Sequence, residues 1–180
     1  LHRVDRRQRQ MCIRDRVRER GVLVATLQRL AEQDPLTGIA NRQGFQALLN
    51  ARLAENEGRG VALGHLDLDN FRHVNDALGH QSGDRLILQV VARLKHQLEA
   101  GDQLARLGSD EFALLIDTRR DANRAEWIAE RIVEALAEPY WIDGESLLLG
   151  CSLGLAHARA QSGADPVSYT HLTLPTIYSV

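Results

Sequence analysis

The sequence is poor in the features that mark secreted, membrane-spanning or zinc-binding proteins. Its 180 residues include two cysteines, Cys12 and Cys151, too few for a disulfide framework or a structural zinc site. No apolar run approaches the roughly 20 residues of a transmembrane helix, and the arginine-rich start lacks the apolar stretch of a secretory signal. We therefore expect one cytoplasmic domain, which a membrane-anchored sensor could precede in a longer protein. Cys151 is expected to be a small buried hydrophobe.

The chain also lacks the strong positive charge of a nucleic-acid-binding protein. The formal net charge is −2, and residues 1–16 hold six arginines against two aspartates, which leaves the remainder at −6. A mildly acidic body is a poor partner for a phosphate backbone. We therefore predict that the protein binds no nucleic acid and makes no direct membrane contact.

The two ends do not resemble the middle of the chain. Residues 1–16 show no apolar periodicity, and residues 167–180 abandon the charged, patterned style of the preceding segment. The strings MCIRDR and VSYTHLTLPT resemble translated sequencing-adapter sequences, so we predict that both ends are foreign to the native protein. The alternative is an unusual native tail. Between them, we predict a signalling or linker helix over 17–33 and one domain over 34–166.

Helices and strands are predicted to alternate in the middle of the chain. Apolar residues at three- and four-residue steps predict helices over 17–33, 43–53, 82–100 and 121–137. Short apolar runs between turn-forming or acidic residues predict strands over 61–68, 103–107, 111–116 and 147–156. Asp143-Gly144 predicts a hairpin turn ahead of the last strand. This order of crossovers and hairpins predicts an α/β fold with helices against a mixed central β-sheet.

Two acidic pairs stand at strand ends. Asp67 and Asp69 close the apolar run 61–68, while Asp110 and Glu111 precede the next long apolar run. Paired carboxylates beside a hydrophobic strand repel each other and are costly to desolvate, so a counter-charge is expected. If the strands are neighbours, Asp67 and Asp110 converge on a hard cation such as Mg²⁺, as in a phosphoryl-transfer site. Spacing alone fits solvated turn residues equally well.

The stretch 71–84 is rich in turn-forming and hydrogen-bonding residues. Backbone amides that follow a strand can bind phosphate, and an asparagine with an aspartate can match the donor and acceptor edge of a purine such as guanine. The same residue types are common in ordinary loops. This stretch is therefore only a weak indication of a nucleotide site.

Four motifs together resemble the GGDEF family of diguanylate cyclases. In chain order they are DPLTGIANR at 34–42, DLDNFRHVND at 67–76, GHQSGD at 79–84 and RLGSDEF at 106–112. One motif could arise by chance, whereas four in this order and spacing are specific. The resemblance, over about residues 30–165, implies a nucleotide-cyclase fold that joins two GTP molecules into cyclic di-GMP in a homodimer.

The resemblance implies the following catalytic and metal-binding residues. Asp67, the carbonyl of Leu68 and Asp110 would bind two Mg²⁺ or Mn²⁺ ions, and Asp69 would support them from nearby. Glu111 would deprotonate or orient the attacking 3′-hydroxyl group. The metal ions would stabilise the charge that develops on the transferring phosphoryl group.

The resemblance also implies the residues that bind GTP. Asn75 and Asp84 would hold guanine, and the amides around 71–73 would contact the terminal phosphates. The full set of substrate-binding residues implied in this way is Asn75, Asp84, Phe71, Arg72, His73, Gly108 and Ser109.

Three departures from the family pattern bear on activity. Ser109 replaces the second glycine of the signature, which adds a Cβ where the family's backbone approaches the nucleotide and where a positive φ would favour glycine, so we expect weakened but not necessarily abolished turnover. Arg72 stands where lysine is usual. The C-terminal helix that would bring a lysine and an arginine to the phosphates has no counterpart before residue 167, and Lys95, the chain's only lysine, lies elsewhere. We therefore expect a C-terminally truncated domain with little activity of its own.

Two further observations concern regulation. The family's Arg-x-x-Asp product-inhibition motif is incomplete, because Glu99 stands in place of arginine ahead of Asp102, and a glutamate cannot pair with phosphate. The stretch 136–156 is similar to family members that precede an EAL phosphodiesterase domain. The alternative to an active cyclase is therefore a degenerate domain that binds GTP and regulates a neighbouring EAL domain.

Overall fold

The computed structural model describes residues 31–55, 60–157 and 176–179. Most of the predicted helix over 17–33 lies outside these ranges, although residues 31 and 32 are helical. The predicted foreign start, 1–16, and residues 167–175 and 180 of the predicted foreign tail also lie outside them. The foreign origin of both ends stays a prediction.

The described residues form four helices and seven strands. In chain order these are α1 (Arg42–Glu55), β1 (Val61–Leu68), α2 (Phe71–Leu78), α3 (His80–Gln97), β2 (Gln103–Arg106), β3 (Glu111–Asp117), α4 (Arg124–Ala137), β4 (Tyr140–Ile142), β5 (Glu145–Leu147), β6 (Cys151–His157) and β7 (Thr176–Ser179). Five strands make the central sheet in the order β2-β3-β1-β6-β7, and β4 and β5 form a separate two-stranded sheet.

The α/β class, with helices against a central sheet, is confirmed. The predicted crossovers are present, but each connects strands that lie two positions apart. Thus β1 and β2 run in the same direction with β3 between them, and β3 and β6 do so with β1 between them. Every neighbouring pair in the described sheet is therefore antiparallel rather than partly parallel. This is the split β-α-β arrangement.

The two faces of the sheet are covered unequally. Along β1, Ala62, Leu66 and Leu68 join the core that α3 and α4 build on one face. Val61 and Leu63 point to the other face, into a smaller core with α1. Because successive side chains of a strand alternate between faces, His65 and Asp67 share that second face, and they are exposed and half-buried, respectively. The end of the sheet beyond α1 is therefore open.

The stretch 71–84, in which no helix was predicted before residue 82, is largely helical. Its turn-forming residues lie at the helix boundaries: Asn70 precedes α2 with φ 59°, and Gly79 separates α2 from α3 with φ 84°. Buried Phe71 and half-buried Val74 anchor α2 against the core. Tertiary packing thus outweighs the poor helix propensity of asparagine and aspartate within α2.

The predicted turn at Asp143-Gly144 is present, with φ 54° and 87°, as a two-residue hairpin of type I′ requires. The strand predicted over 147–156 is instead divided into β5 and β6. The hairpin of β4 and β5 is held on α3, where Arg85 contacts Asp143 at 2.8 Å and the Gln89 side chain donates to the Trp141 carbonyl at 3.0 Å. Residues 148–150 then lead from the hairpin back to the sheet.

The remaining boundaries differ little from the predictions. Helix α1 covers the predicted 43–53, and β1 has the predicted bounds. Helix α4 begins at Arg124 rather than Asp121, because the Asp121 carboxylate accepts the amide of Asn123 at 2.9 Å and holds that stretch in a turn. Cys151 is 1% exposed, and burial raises the pKa of its thiol to about 11, as expected of a buried hydrophobe.

Candidate active site

Three neighbouring strands bring polar side chains to the open end of the sheet. Asp67 of β1 lies opposite Glu111 of β3 on one side and opposite Ser152 of β6 on the other. Residues paired in this way share a face, so all three belong to the face that α1 leaves uncovered. The hydroxyl of Ser152 donates to Asp69 at 3.2 Å. Sequence reasoning missed Ser152, because its position depends on strand register.

Asp110 joins this group through the backbone. The amide of Leu68 donates to the Asp110 carbonyl at 3.1 Å, which places Asp110 beside the end of β1. Burial raises the pKa of Asp67, and the negative charges of Asp110, Glu111 and Asp69 raise it further, against a smaller opposing effect of His65. The two acidic pairs therefore converge and repel each other.

The donor set suits a hard cation that arrives with its substrate. The carboxylates of Asp67 and Asp110 and the carbonyl of Leu68 offer the oxygen ligands that Mg²⁺ prefers. Among the described residues, no group of three or more His, Cys, Asp or Glu side chains is arranged to hold a metal ion. Mg²⁺ often uses one or two carboxylates together with waters and substrate phosphates. The residues present therefore fit a metal-nucleotide site better than a preformed metal cage.

Helix α2 begins just after the end of β1, separated from it by Asp69 and Asn70. Asn70 precedes the helix without a side-chain hydrogen bond to its first turn, so no side chain caps the amides of Phe71 and Arg72. The amide of His73 already donates to the Asn70 carbonyl at 3.0 Å. Uncapped amides at a helix N-terminus favour anions. Of the three amides expected to contact phosphate, those of Phe71 and Arg72 are thus the better suited.

The two residues expected to hold guanine come from adjoining helices. Asn75 of α2 is half-buried, and a Cβ added to Gly83 of α3 would lie 1.9 Å from its Oδ1 atom. The Asn75 amide therefore rests against the α3 backbone at the position before Asp84, which is exposed. Only a glycine at 83 leaves the room that this arrangement needs.

The turn between β2 and β3 lacks the positive φ that was expected at position 109. Neither Gly108 nor Ser109 has a positive φ, so the serine Cβ causes no backbone strain there. The Ser109 hydroxyl donates to Asp110 Oδ1 at 2.5 Å. The Ser109 carbonyl accepts from Arg106 Nη2 at 2.7 Å.

Two arginines that were not predicted as site residues flank this turn. Arg42 Nη2 donates to the Leu107 carbonyl at 3.1 Å and lies 3.4 Å from Glu111 Oε2. Arg106 lies 3.4 Å from Asp34. A surface cavity of 530 Å³ opens beside them. Both arginines lie in motifs that carry the family resemblance, and this was the sequence signal by which they could have been found.

The Asp102 carboxylate accepts hydrogen bonds from groups within the protein. Arg124 donates to both of its carboxylate oxygens at 2.7 Å, and the amides of Glu99 and Asp117 donate at 2.9 and 3.0 Å. Burial alone would raise the pKa of Asp102, but these hydrogen bonds and the charge of Arg124 hold it below its ordinary value. Its side chain is 1% exposed, which leaves no room for a ligand.

Comparison with known proteins places this architecture in context. A family model described as "Diguanylate cyclase, GGDEF domain" matches residues 31–172. The chain is 39% identical over 137 residues to the cyclic di-GMP phosphodiesterase NbdA of Pseudomonas aeruginosa, covering 73% of this chain and 17% of NbdA. It is 39% identical over 129 residues to the bifunctional diguanylate cyclase/cyclic di-GMP phosphodiesterase MucR of the same organism, covering 71% and 19%.

A solved structure agrees with the fold. The GGDEF domain of DgcB from Caulobacter crescentus, in complex with c-di-GMP, superposes with a TM-score of 0.66 at 30% identity, covering 72% of this chain and 79% of that one. The chain spans about a fifth of the length of the two curated relatives. Among the residues with described structure, no helix is both long and apolar enough to cross a membrane.

Proposed function

This chain belongs to the GGDEF family, and we propose that it is the cyclase domain of a cytoplasmic protein that condenses two GTP molecules into cyclic di-GMP and two pyrophosphates. The observation that carries the proposal is the convergence of Asp67, Asp110 and Glu111 at one open end of the sheet, next to the uncapped start of α2. Carboxylates beside a phosphate-binding helix end suit metal-assisted phosphoryl transfer.

The proposed division of labour follows from the positions of the side chains. Asp67, Asp110 and the Leu68 carbonyl would hold two Mg²⁺ or Mn²⁺ ions, which when bound supply charge neutralisation for the transferring phosphoryl group. The start of α2 would bind the terminal phosphates. Asn75 of α2 and Asp84 of α3 would bind guanine.

Catalysis is proposed to require a homodimer, in which each subunit presents one GTP. Each 3′-hydroxyl attacks the α-phosphate of the other GTP, so that two new P–O bonds form and two pyrophosphates leave. Glu111 would orient that hydroxyl and receive its proton. Arg42, at 3.4 Å from the Glu111 carboxylate, would hold Glu111 in place.

A second candidate is a regulatory domain that binds GTP without making product. The name of NbdA, a cyclic di-GMP phosphodiesterase, favours it, whereas MucR is named for both activities. In that case the domain would control a neighbouring EAL phosphodiesterase domain of the parent protein.

The test incubates the full-length protein with GTP and Mg²⁺ and measures cyclic di-GMP by mass spectrometry. Asp110→Ala should abolish product, whereas Asp76→Ala, an exposed carboxylate on α2, should leave it unchanged. GTP binding without product would support the regulatory function. Neither binding nor product would contradict both.

A further inference from the structure

The serine of the signature turn makes a contact that a glycine cannot make. Ser109 is exposed, its φ is not positive, and its hydroxyl donates to Asp110 Oδ1 at 2.5 Å. Ser109, which departs from the family signature, therefore contacts the side chain that is expected to bind metal.

We propose that Ser109 is a positioning residue that holds the Asp110 carboxylate in the orientation that binds the divalent cation. The inference rests on the proposed function of the site. It differs from the expectation from sequence, in which the serine only weakens turnover, since the serine then supports metal binding in this chain.

The surrounding backbone makes such a restraint effective. The Asp110 carbonyl accepts the amide of Leu68 at 3.1 Å, and the Glu111 carbonyl accepts that of Leu107 at 2.8 Å. Arg106 holds the Ser109 carbonyl at 2.7 Å. With the main chain fixed on both sides, the freedom that remains to Asp110 lies in its side-chain torsions, and the serine hydroxyl restricts these.

A restrained carboxylate is a better ligand for two physical reasons. Ordering a free side chain on binding costs conformational entropy, and the hydrogen bond removes part of that cost in advance. The bond engages one lone pair of Oδ1, which leaves Oδ2 free to coordinate. Hydrogen-bonding partners of ligating carboxylates commonly tune metal affinity in this way.

A role of the Ser109 hydroxyl and a purely steric effect of its Cβ predict different results for variants at position 109. If the hydroxyl matters, alanine and glycine at 109 are both deficient and threonine, which keeps the hydroxyl, is not. If the added Cβ merely obstructs the nucleotide, glycine improves binding, alanine matches serine, and threonine is worst.

The experiment measures Mn²⁺ affinity by electron paramagnetic resonance of free Mn²⁺, in the presence of a non-reactive α,β-methylene analogue of GTP. Ser109→Ala and Ser109→Gly should each weaken Mn²⁺ binding by roughly tenfold, and Ser109→Thr should retain the affinity of the unmodified chain. Unchanged affinity in Ser109→Ala, or tighter binding in Ser109→Gly, would overturn the proposal. Thermal unfolding of each metal-free variant shows that the chain stays folded, as expected for an exposed residue.

The Asp110→Ala variant distinguishes a failure of the Ser109 proposal from a failure of the proposed function. Mn²⁺ binding that depends on Asp110 but not on the Ser109 hydroxyl would refute the positioning role alone. Mn²⁺ binding that is the same with and without the Asp110 carboxylate would refute the metal site, and the positioning role with it.

Discussion

Asp67 and Glu111 lie directly opposite each other on neighbouring antiparallel strands. Like charges so placed destabilise a sheet, and the pKa of Asp67 is raised by burial and by its acidic neighbours. The metal-free fold therefore carries electrostatic repulsion that a bound cation would relieve. Sites of this kind commonly sacrifice stability for function.

Replacing Asp67 with asparagine should stabilise the metal-free protein at neutral pH. Because its folded-state pKa lies above the unfolded value near 3.8, this group's contribution to stability falls as pH rises from that value through the folded pKa. Asp67→Asn removes this loss, so we expect a melting midpoint about 1 to 3 °C higher at pH 7, and a difference that vanishes near pH 4. Calorimetry in EDTA measures it, with Asp76→Asn as control. A lower midpoint at pH 7 would contradict the electrostatic account.

Substituting Gly83 with alanine should weaken GTP binding while the fold persists. The added Cβ would meet Asn75 Oδ1 at 1.9 Å, so the Asn75 side chain must move away from the guanine position. Alanine is otherwise favoured over glycine within a helix. We expect about tenfold weaker binding of a GTP analogue, from the loss of a hydrogen bond or two, with an unchanged or higher melting midpoint.

Asn75→Ala provides the matched comparison for Gly83→Ala. If Gly83→Ala acts by displacing Asn75, the double variant should bind the GTP analogue no more weakly than Asn75→Ala alone. Additive losses in titration calorimetry would show that Gly83 acts through some other contact.

Removal of the Asp102 carboxylate should destabilise the fold rather than alter catalysis. Asp102→Ala leaves the largely buried Arg124 with the exposed Glu99 carboxylate, at 3.2 Å, as its remaining ion-pair partner, at a cost of about 3 kcal/mol. The pKa of Asp102 is lowered from 3.8, so its contribution is complete above that value and is lost as pH falls through the folded pKa. Urea unfolding at pH 7 and at pH 3 measures both effects. Glu99→Gln, at a side chain 68% exposed, should change stability by under about 0.5 kcal/mol.

Cyclic di-GMP should not bind at the surface around Asp102. Arg124 already occupies both carboxylate oxygens of Asp102, and Glu99 would repel a phosphate. Titration of the protein with cyclic di-GMP should therefore show no tight binding that depends on these residues. Tight binding whose affinity changes in either direction in Glu99→Gln, a variant expected to fold normally, would refute this expectation.

Local sequence signals predicted the parts of the fold that local chemistry determines. The apolar run of β1 and the Asp143-Gly144 turn were located correctly, because a buried strand and a type I′ turn each require particular residues in sequence. Helix α2 was not foreseen, since the packing of Phe71 and Val74 against distant residues overrides local propensity. The division of the predicted strand over 147–156 likewise follows from the contacts of β4 and β5 with α3.

The site could be predicted only in part for the same reason. The acidic residues stand at the ends of apolar runs, which is visible in the sequence. The position of Ser152 opposite Asp67 depends on strand register, and the contact of Arg42 with Glu111 spans 69 residues. The hydroxyl contact of Ser109 was not predicted, because the sequence motif does not give the backbone torsion angles at this position. Without them, the serine was interpreted as a poor substitute for glycine.

The most direct test of a shared cation is an anomalous-scattering map from crystals of this chain grown with Mn²⁺ and the α,β-methylene analogue of GTP. The account predicts a Mn²⁺ peak within about 2.5 Å of a carboxylate oxygen of Asp67 and of one from Asp110. Mn²⁺ bound by the nucleotide phosphates alone, with both carboxylates turned away, would contradict it.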